Sequence, residues 1–338
     1  MMKLGIIGTN WITKQFVEAA EMTGEFTLTS VYSRKLATAQ KFGADFKNVT
    51  EYFDNLSEFF EQGTFEVVYI ASPNNLHFEQ TLQALKAKKH VIVEKPMFSN
   101  PAELKVLQKY LHHHPELYCL EAARHFHEPN FQSVKQAVKE LPVIQGADLT
   151  YKKYSSRYDQ FLAGEEPNVF SPKFSGGALQ DLGVYLVYDA ISWFGIPEDA
   201  HYYPVKLRNG IDGSGTAILN YPGYDVVLNV GKTANSYLPG EIYGLKETIV
   251  MDNAAELQKV ELVDATGNGT MLSVDPAKNP MLAEAKAFGE VLRDTDSLQN
   301  KQLQQEWLAV AVEVNHVLYK LRQSAGLAFP ADEHEVNY

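Results

Sequence analysis

The chain has 338 residues, of which 45% are hydrophobic and 21% charged, and carries a formal net charge of −12. That length exceeds one small core and suits two domains. The acidic balance argues against nucleic acid or an anionic membrane as partner, while leaving room for a local basic site for one small anion. A single cysteine, Cys119, excludes an intrachain disulfide framework and points to a reducing compartment. The apolar run in MMKLGIIG is too short for a signal peptide and no stretch approaches a membrane span, so a cytoplasmic protein is expected.

Taken in chain order, KLGIIG (Lys3–Gly8) reads as an apolar strand, followed by a helix from Trp11 to about Met22. FTLTSVYS (Phe26–Ser33) is a second strand with a helix near Lys35–Phe42, and FEVVYIAS (Phe65–Ser72) a third. The helical run LHFEQTLQALKAKK leads to HVIVEK, and ELKVLQKY to LYCLEA. Near-continuous apolar strands joined by helices predict a parallel sheet covered on both faces. After about residue 123 the pattern changes. A helix (Phe131–Leu141), a strand near Ile144–Tyr154, an aromatic-rich loop and a helix from about Gly177 to Phe194 precede strands with hairpin chemistry. TAILNY and DVVLNV flank Pro222-Gly223; ELQKVELV and TMLSV flank Gly267-Asn268-Gly269. Two helices follow, the last with Leu303, Trp307, Val310, Val314, Val317 and Leu321 on one face and Gly326 at its end. The expected fold class is α/β: a Rossmann-type doubly wound sheet over residues 1–123, then an α+β unit over 124–338 with a large open, mostly antiparallel sheet. The final helix is expected to pack back toward the first unit.

GIIGTNWIT lies where a strand becomes a helix. Of the fingerprint G-x-G-x-x-G/A it keeps Gly8, with Asn10 at the second position and Thr13 at the third. The turn Gly8, Thr9, Asn10, Trp11 and Ile12 is the candidate dinucleotide cradle, with an ordinary strand–helix turn as the alternative. Near the end of the second strand an NAD-preferring protein would place a carboxylate, but YSRK offers Ser33 and Arg34. A hydroxyl and a guanidinium suit a 2′-phosphate, so NADP is preferred over NAD.

With VIVEKPM added, the chain resembles the glucose–fructose oxidoreductase / inositol dehydrogenase (Gfo/Idh/MocA) family across nearly its whole length. The resemblance rests on GIIGTNWI, on SPNNLHFEQTLQALKAKKHVIVEKPM and on SGGALQDLGVYLVYDAI. YSSRYD (Tyr154–Asp159) and Tyr185 carry a narrower likeness to the branch of dimeric dihydrodiol dehydrogenase and NADP-dependent D-xylose dehydrogenase. The resemblance implies that Ser72, Pro73 and Asn74 lie against the cofactor with His77 in support. It places Glu94 beside the nicotinamide ribose and Lys95 at the reacting carbon–oxygen bond. Pro96 would fix the turn, through a cis Lys95–Pro96 bond. EAARHFHEP sets Arg124 two positions early relative to the related E-A-x-x-x-R-F-x-P, so no substrate role is carried over to it.

In GGALQDLGVYLVYD, Asp181, Tyr185 and Asp189 are four apart and share one face of a regular helix. Carboxylates flanking a tyrosine amid Leu, Val and Ile are not needed by a structural helix. By resemblance Asp181 and Tyr185 face Lys95. Tyrosine stands where many relatives carry histidine, and an ammonium nearby favours the phenolate that proton transfer requires. Tyr154 and Arg157, in an aromatic and basic loop, are candidate substrate contacts. His112–His114 and the pair His125 and His127 lack a companion Cys or carboxylate cluster at metal-ligand spacing, so no metal is expected. The expected protein is an NAD(P)-dependent oxidoreductase acting on a secondary alcohol or hemiacetal of a sugar, polyol or dihydrodiol. Its partner would be a polyhydroxylated small molecule, and its state a homo-oligomer, a dimer or dimer of dimers. The rival reading is a non-catalytic dinucleotide sensor or transcriptional regulator on the same fold.

Overall fold

In the computed structural model, which describes residues 1–333, six short apolar segments form one fully parallel sheet. Its strands are β1 (Met2–Ile7), β2 (Phe26–Tyr32), β3 (Glu51–Phe53), β4 (Val67–Ile70), β5 (His90–Glu94) and β6 (Cys119–Ala122), in the order β3-β2-β1-β4-β5-β6. The crossovers are α1 (Trp11–Met22), α2 (Leu36–Gly43), α3 (Leu56–Gln62), α4 (His77–Lys86) and α5 (Pro101–His113). The sheet is buried on both faces: Leu4, Ile6 and Tyr69 belong to one core, Val68, Val91 and Val93 to the other. The order reverses between β1 and β4, which opens a crevice at their carboxyl ends.

The second sheet has eight strands: β7 (Gly146–Lys152), β8 (Asp199–Lys206), β9 (Asp212–Tyr221), β10 (Tyr224–Gly231), β11 (Gly240–Tyr243), β12 (Thr248–Met251), β13 (Val260–Val263) and β14 (Gly269–Met271). Their order is β14-β13-β12-β11-β7-β10-β9-β8, antiparallel except for the central pair β7 and β10. Both hairpins read from the sequence are present, and Gly223 takes φ +89° in the turn between β9 and β10. Along β9 the side chains alternate: Ala217, Leu219 and Tyr221 are buried, Thr216, Ile218 and Asn220 half-buried. The buried face packs on α6 (Pro129–Glu140) and α8 (Val184–Phe194), and a short α7 (Tyr158–Leu162) lies in the aromatic loop. The predicted helix from Gly177 is regular only from Val184, because Leu179–Gly183 forms a wider π-turn.

Helix α9 (Leu282–Leu292) packs on α1, and α10 (Leu298–Ser324) touches α8 and β8 on one side and β6 and α5 on the other. Its Arg322, 1% exposed, locks this join. The guanidinium donates to both carboxylate oxygens of Asp332 (2.8 and 3.0 Å), to Leu327 O and to Ser99 O, the last from the segment after β5. Among the described residues no helix is long and apolar enough to cross a membrane. Arg322→Met keeps the stem but leaves the Asp332 carboxylate uncompensated. It is expected to lower stability by about 3–5 kcal/mol in a denaturant titration.

Candidate active site

The turn after β1 is shaped by steric need. Gly8 has φ +102°, and a Cβ there would lie 2.6 Å from Ala71 O, so only glycine fits without strain. Asn10, at the second fingerprint position, has extended backbone (φ −90°) and acts as the N-cap of α1. Its Oδ1 accepts from the N–H groups of Ile12 (3.0 Å) and Thr13 (3.1 Å), while its Nδ2 donates to Ala71 O at 3.3 Å. The side chain therefore folds back onto helix and strand end, and the positive end of α1 still faces the crevice. Bare backbone at Gly8 and a folded-back Asn10 fit a dinucleotide's phosphates.

Beside it, the loop after β4 is tied down by side chains. His77 is buried, its ring nitrogens 2.9 Å from Ser72 O and 3.1 Å from Pro96 O, so it joins the ends of β4 and β5. Ser72 donates to Gln80 Oε1 (2.7 Å), and Asn74 Nδ2 to Ser175 O (2.9 Å). At the end of β5, Glu94 is buried and accepts a short hydrogen bond from Tyr69 OH; burial pushes its carboxyl up, against the pull of Lys95, Tyr69 and Arg124. The Lys95–Pro96 peptide is cis.

Lys95 turns from there toward the second sheet. Its ammonium donates to Asp181 O (2.8 Å) and Asp181 Oδ1 (3.1 Å), and lies 4.7 Å from the centroid of the Tyr185 ring. The π-turn presents both the carbonyl and the carboxylate of Asp181 to the same cation. The second carboxylate oxygen accepts from Lys232 Nζ at 2.7 Å. Burial disfavours the charged form of each group, but the pairs outweigh it. Asp181 lies well below the usual carboxylate range through Lys232 and Lys95, and Lys95 is held above the usual lysine range by Tyr185, Asp181 and Glu94. The Arg124 guanidinium stands on the same ring, 5.8 Å from its centroid. Below it, His125 Nε2 lies 3.2 Å from Tyr185 O and 3.6 Å from the fully buried Asp189.

Lys95, Asp181, Tyr185, Arg124 and Lys232 line one cleft of about 1390 Å³ between the two sheets. Asn10, Trp11, Ile12, Ser72, Pro73, Asn74, His77, Glu94, Lys95, Asp181, Tyr185, Tyr154 and Arg157 all reach it. Tyr154 OH donates to Asp159 and Arg157 bonds Gln160 at its far rim. Gly8 and Thr9 form the turn behind the lining, and Ser33 and Arg34 sit at the end of β2 outside it. Asp189 is buried beneath Tyr185, so of the three residues expected on one face only Asp181 and Tyr185 line the cleft. Sequence reasoning missed Lys232 and set Arg124 aside, yet Lys232 directly follows β10 and Arg124 comes two residues after β6. His125 and His127 are buried among aromatic rings, and no group of three or more His, Cys, Asp or Glu among the described residues could hold a metal ion.

A doubly wound sheet with a glycine turn at its switch point, opening on a polar cleft, defines the dinucleotide-binding α/β class. Residues 2–122 match the Gfo/Idh/MocA model, described as an oxidoreductase family with an NAD-binding Rossmann fold. The uncharacterized oxidoreductase YgjR of Escherichia coli is 36% identical over 98% of this chain and 99% of its own length. The scyllo-inositol 2-dehydrogenase (NADP(+)) IolU of Bacillus subtilis is 35% identical over 98% of this chain and all of its own. In fold, the chain resembles KijD10, a 3-ketoreductase from Actinomadura kijaniata in complex with NADP and TDP-benzene, with TM-score 0.82, 20% identity and coverage of 96% and 97%. The chain belongs to the Gfo/Idh/MocA oxidoreductase family.

The cap at Asn10 can be weighed by itself. Asn10→Ala leaves the N–H groups of Ile12 and Thr13 without their acceptor and is expected to cost about 1 kcal/mol in denaturant titration, whereas Asn10→Gly costs a few tenths.

Proposed function

We propose that the protein is an NADP-preferring, NAD(P)-dependent oxidoreductase that interconverts a secondary alcohol or hemiacetal of a sugar, polyol or dihydrodiol with its carbonyl. The observation that carries this reading is the meeting of Lys95, Asp181 and Tyr185 at the carboxyl edge of the parallel sheet, inside a cleft large enough for dinucleotide and substrate. IolU, an NADP(+) enzyme of scyllo-inositol by its name, supports the cofactor and the polyol class. The narrower placement beside the dihydrodiol and D-xylose dehydrogenases is part of this proposal, and rests on Tyr185 and on the Tyr154–Asp159 loop.

Gly8, Thr9, Asn10, Trp11 and Ile12 would hold the pyrophosphate, Ser33 and Arg34 the 2′-phosphate, and Ser72, Pro73, Asn74, His77 and Glu94 the nicotinamide half. When bound, the nicotinamide supplies or takes up hydride. The Tyr185 hydroxyl gives or takes the proton at the substrate oxygen. The Lys95 ammonium stabilises negative charge developing on that oxygen, and Asp181 keeps the ammonium aimed there. Arg124 adds a second cation beside the phenol. Residues 1–123 would serve the dinucleotide and 124–338 the substrate. The half-buried outer face of the eight-stranded sheet, with Thr216, Ile218 and Asn220, supports a homodimer or dimer of dimers; light scattering that finds a monomer at micromolar concentration would rule this out.

The test is turnover of NADP(H) with a panel of aldoses, polyols and diols. Tyr185→Phe and Lys95→Met are each expected to lower kcat by about 10²- to 10⁴-fold while the nucleotide Kd changes little. A wild-type protein that binds NADPH and turns over nothing across the panel would leave the sensor reading in its place.

A further inference from the structure

The mechanism above leaves one buried cation without a task. Lys232 follows the last residue of β10 and its side chain is 1% exposed. Its ammonium donates to Asp181 Oδ2 (2.7 Å) and to Val169 O (2.9 Å), and lies 4.7 Å over the Phe170 ring. A lysine taken this far out of water is costly unless its charge is matched. A donor that only tied down the loop at Val169 could be neutral. The charge has a counterpart in Asp181, whose other oxygen is held by Lys95.

We propose that Lys232 is a positioning residue for the reaction. By fixing Oδ2 it sets the plane of the Asp181 carboxylate, so that Oδ1 and the Asp181 carbonyl keep the Lys95 ammonium beside Tyr185. This rests on the active-site reading given above and adds a part to it. With both carboxylate oxygens taken by ammonium groups, Asp181 cannot swing to pair with Lys95 through both oxygens. Lys95 thereby keeps donor capacity for a substrate oxygen, since an ammonium has three N–H groups and Asp181 accepts two. The ionisable groups around the pair are Lys95 from the end of β5, Tyr151 from β7, Tyr185 from α8, and Asp212 from β9, whose carboxylate accepts from Leu179 N and Tyr202 OH and feels the Lys232 charge.

Two readouts on the full chain decide the matter. The first needs no turnover: the carboxyl ¹³C resonance of Asp181, followed against pH in protein labelled at aspartate and assigned with Asp181→Asn. In the wild type it is expected to stay that of a carboxylate down to about pH 4. In Lys232→Gln, which can still donate to Val169 O but carries no charge, the titration is expected to rise by at least about one unit. The second is kinetic. Lys232→Gln should lower kcat about 10-fold or more with the KM for NADP(H) within about 2-fold, Lys232→Arg should restore most of it, and Lys232→Gln should add little to Asp181→Asn. An unmoved Asp181 titration, or a Lys232→Gln loss that adds in full to that of Asp181→Asn, overturns the proposal in favour of a loop tie. Should the glutamine variant not fold, Lys232→Met is subjected to the same two measurements. A wild type that turns over nothing defeats the active-site reading itself, and the NMR titration then reports separately whether Lys232 governs Asp181.

Discussion

Two ammonium groups, one delivered by each sheet, close on a single carboxylate, and the geometry of the cleft depends on that join. Lys95 leaves the end of β5 and Lys232 the end of β10; Asp181 takes one on each oxygen. In water such pairs would be worth little. Here Lys232 is shut off from solvent and Lys95 nearly so, and an unpaired charge in either place would be expensive. The ends of two sheets that share no backbone hydrogen bonds in their ladders are thus held in a fixed relation by charge as well as by packing.

The walls of the cleft are fixed by polar side chains bonded to backbone carbonyls. His77 joins Ser72 to Pro96, Asn10 joins the α1 cap to Ala71, and Asn74 reaches Ser175. Ser99 and Ser175 hydroxyls meet at 2.8 Å just beyond. Apart from that hydroxyl pair, these bonds satisfy loop carbonyls that no ladder reaches. A site held this way needs little rearrangement to meet developing charge, which is where electrostatic catalysis gains most.

The first sheet was readable because most of its strands are uninterrupted apolar runs, and α1 was placed at both ends, although the cap that Asn10 forms was not foreseen. β3 was not found: Glu-Tyr-Phe is three residues long with no periodicity to detect. β8, β11 and β12 escaped for related reasons, being edge-like, short or opened by glycine. The carboxylates around Tyr185 were visible as a chemical oddity, but the π-turn at Leu179–Gly183 leaves no trace in a four-residue spacing. Lys232 reads in sequence as a solvated residue after a hairpin strand; only the pairing of β7 with β10 brings that strand end to the cleft. Arg124 was set aside on family spacing, yet it comes two residues after β6 and its guanidinium stands over the Tyr185 ring.

The cleft also resolves an apparent mismatch between a chain of net charge −12 and a ligand bearing phosphates. At its inner end stand the cations Lys95, Lys232 and Arg124, with the Asp181 carboxylate held well below its usual range by the two lysines. Burial pushes the Glu94 and Glu284 carboxyls upward, and Glu128 to about 7 despite Arg124, while Lys153 holds Glu256, on the same lining, below the usual range against burial. Desolvation therefore works against negative charge on Glu94, Glu284 and Glu128, while ion pairing favours the charged forms of Lys95 and Asp181. Cations thus gather at the inner end of the cleft in an acidic protein, and within a Debye length it is this local balance, and not the total, that an anionic cofactor meets.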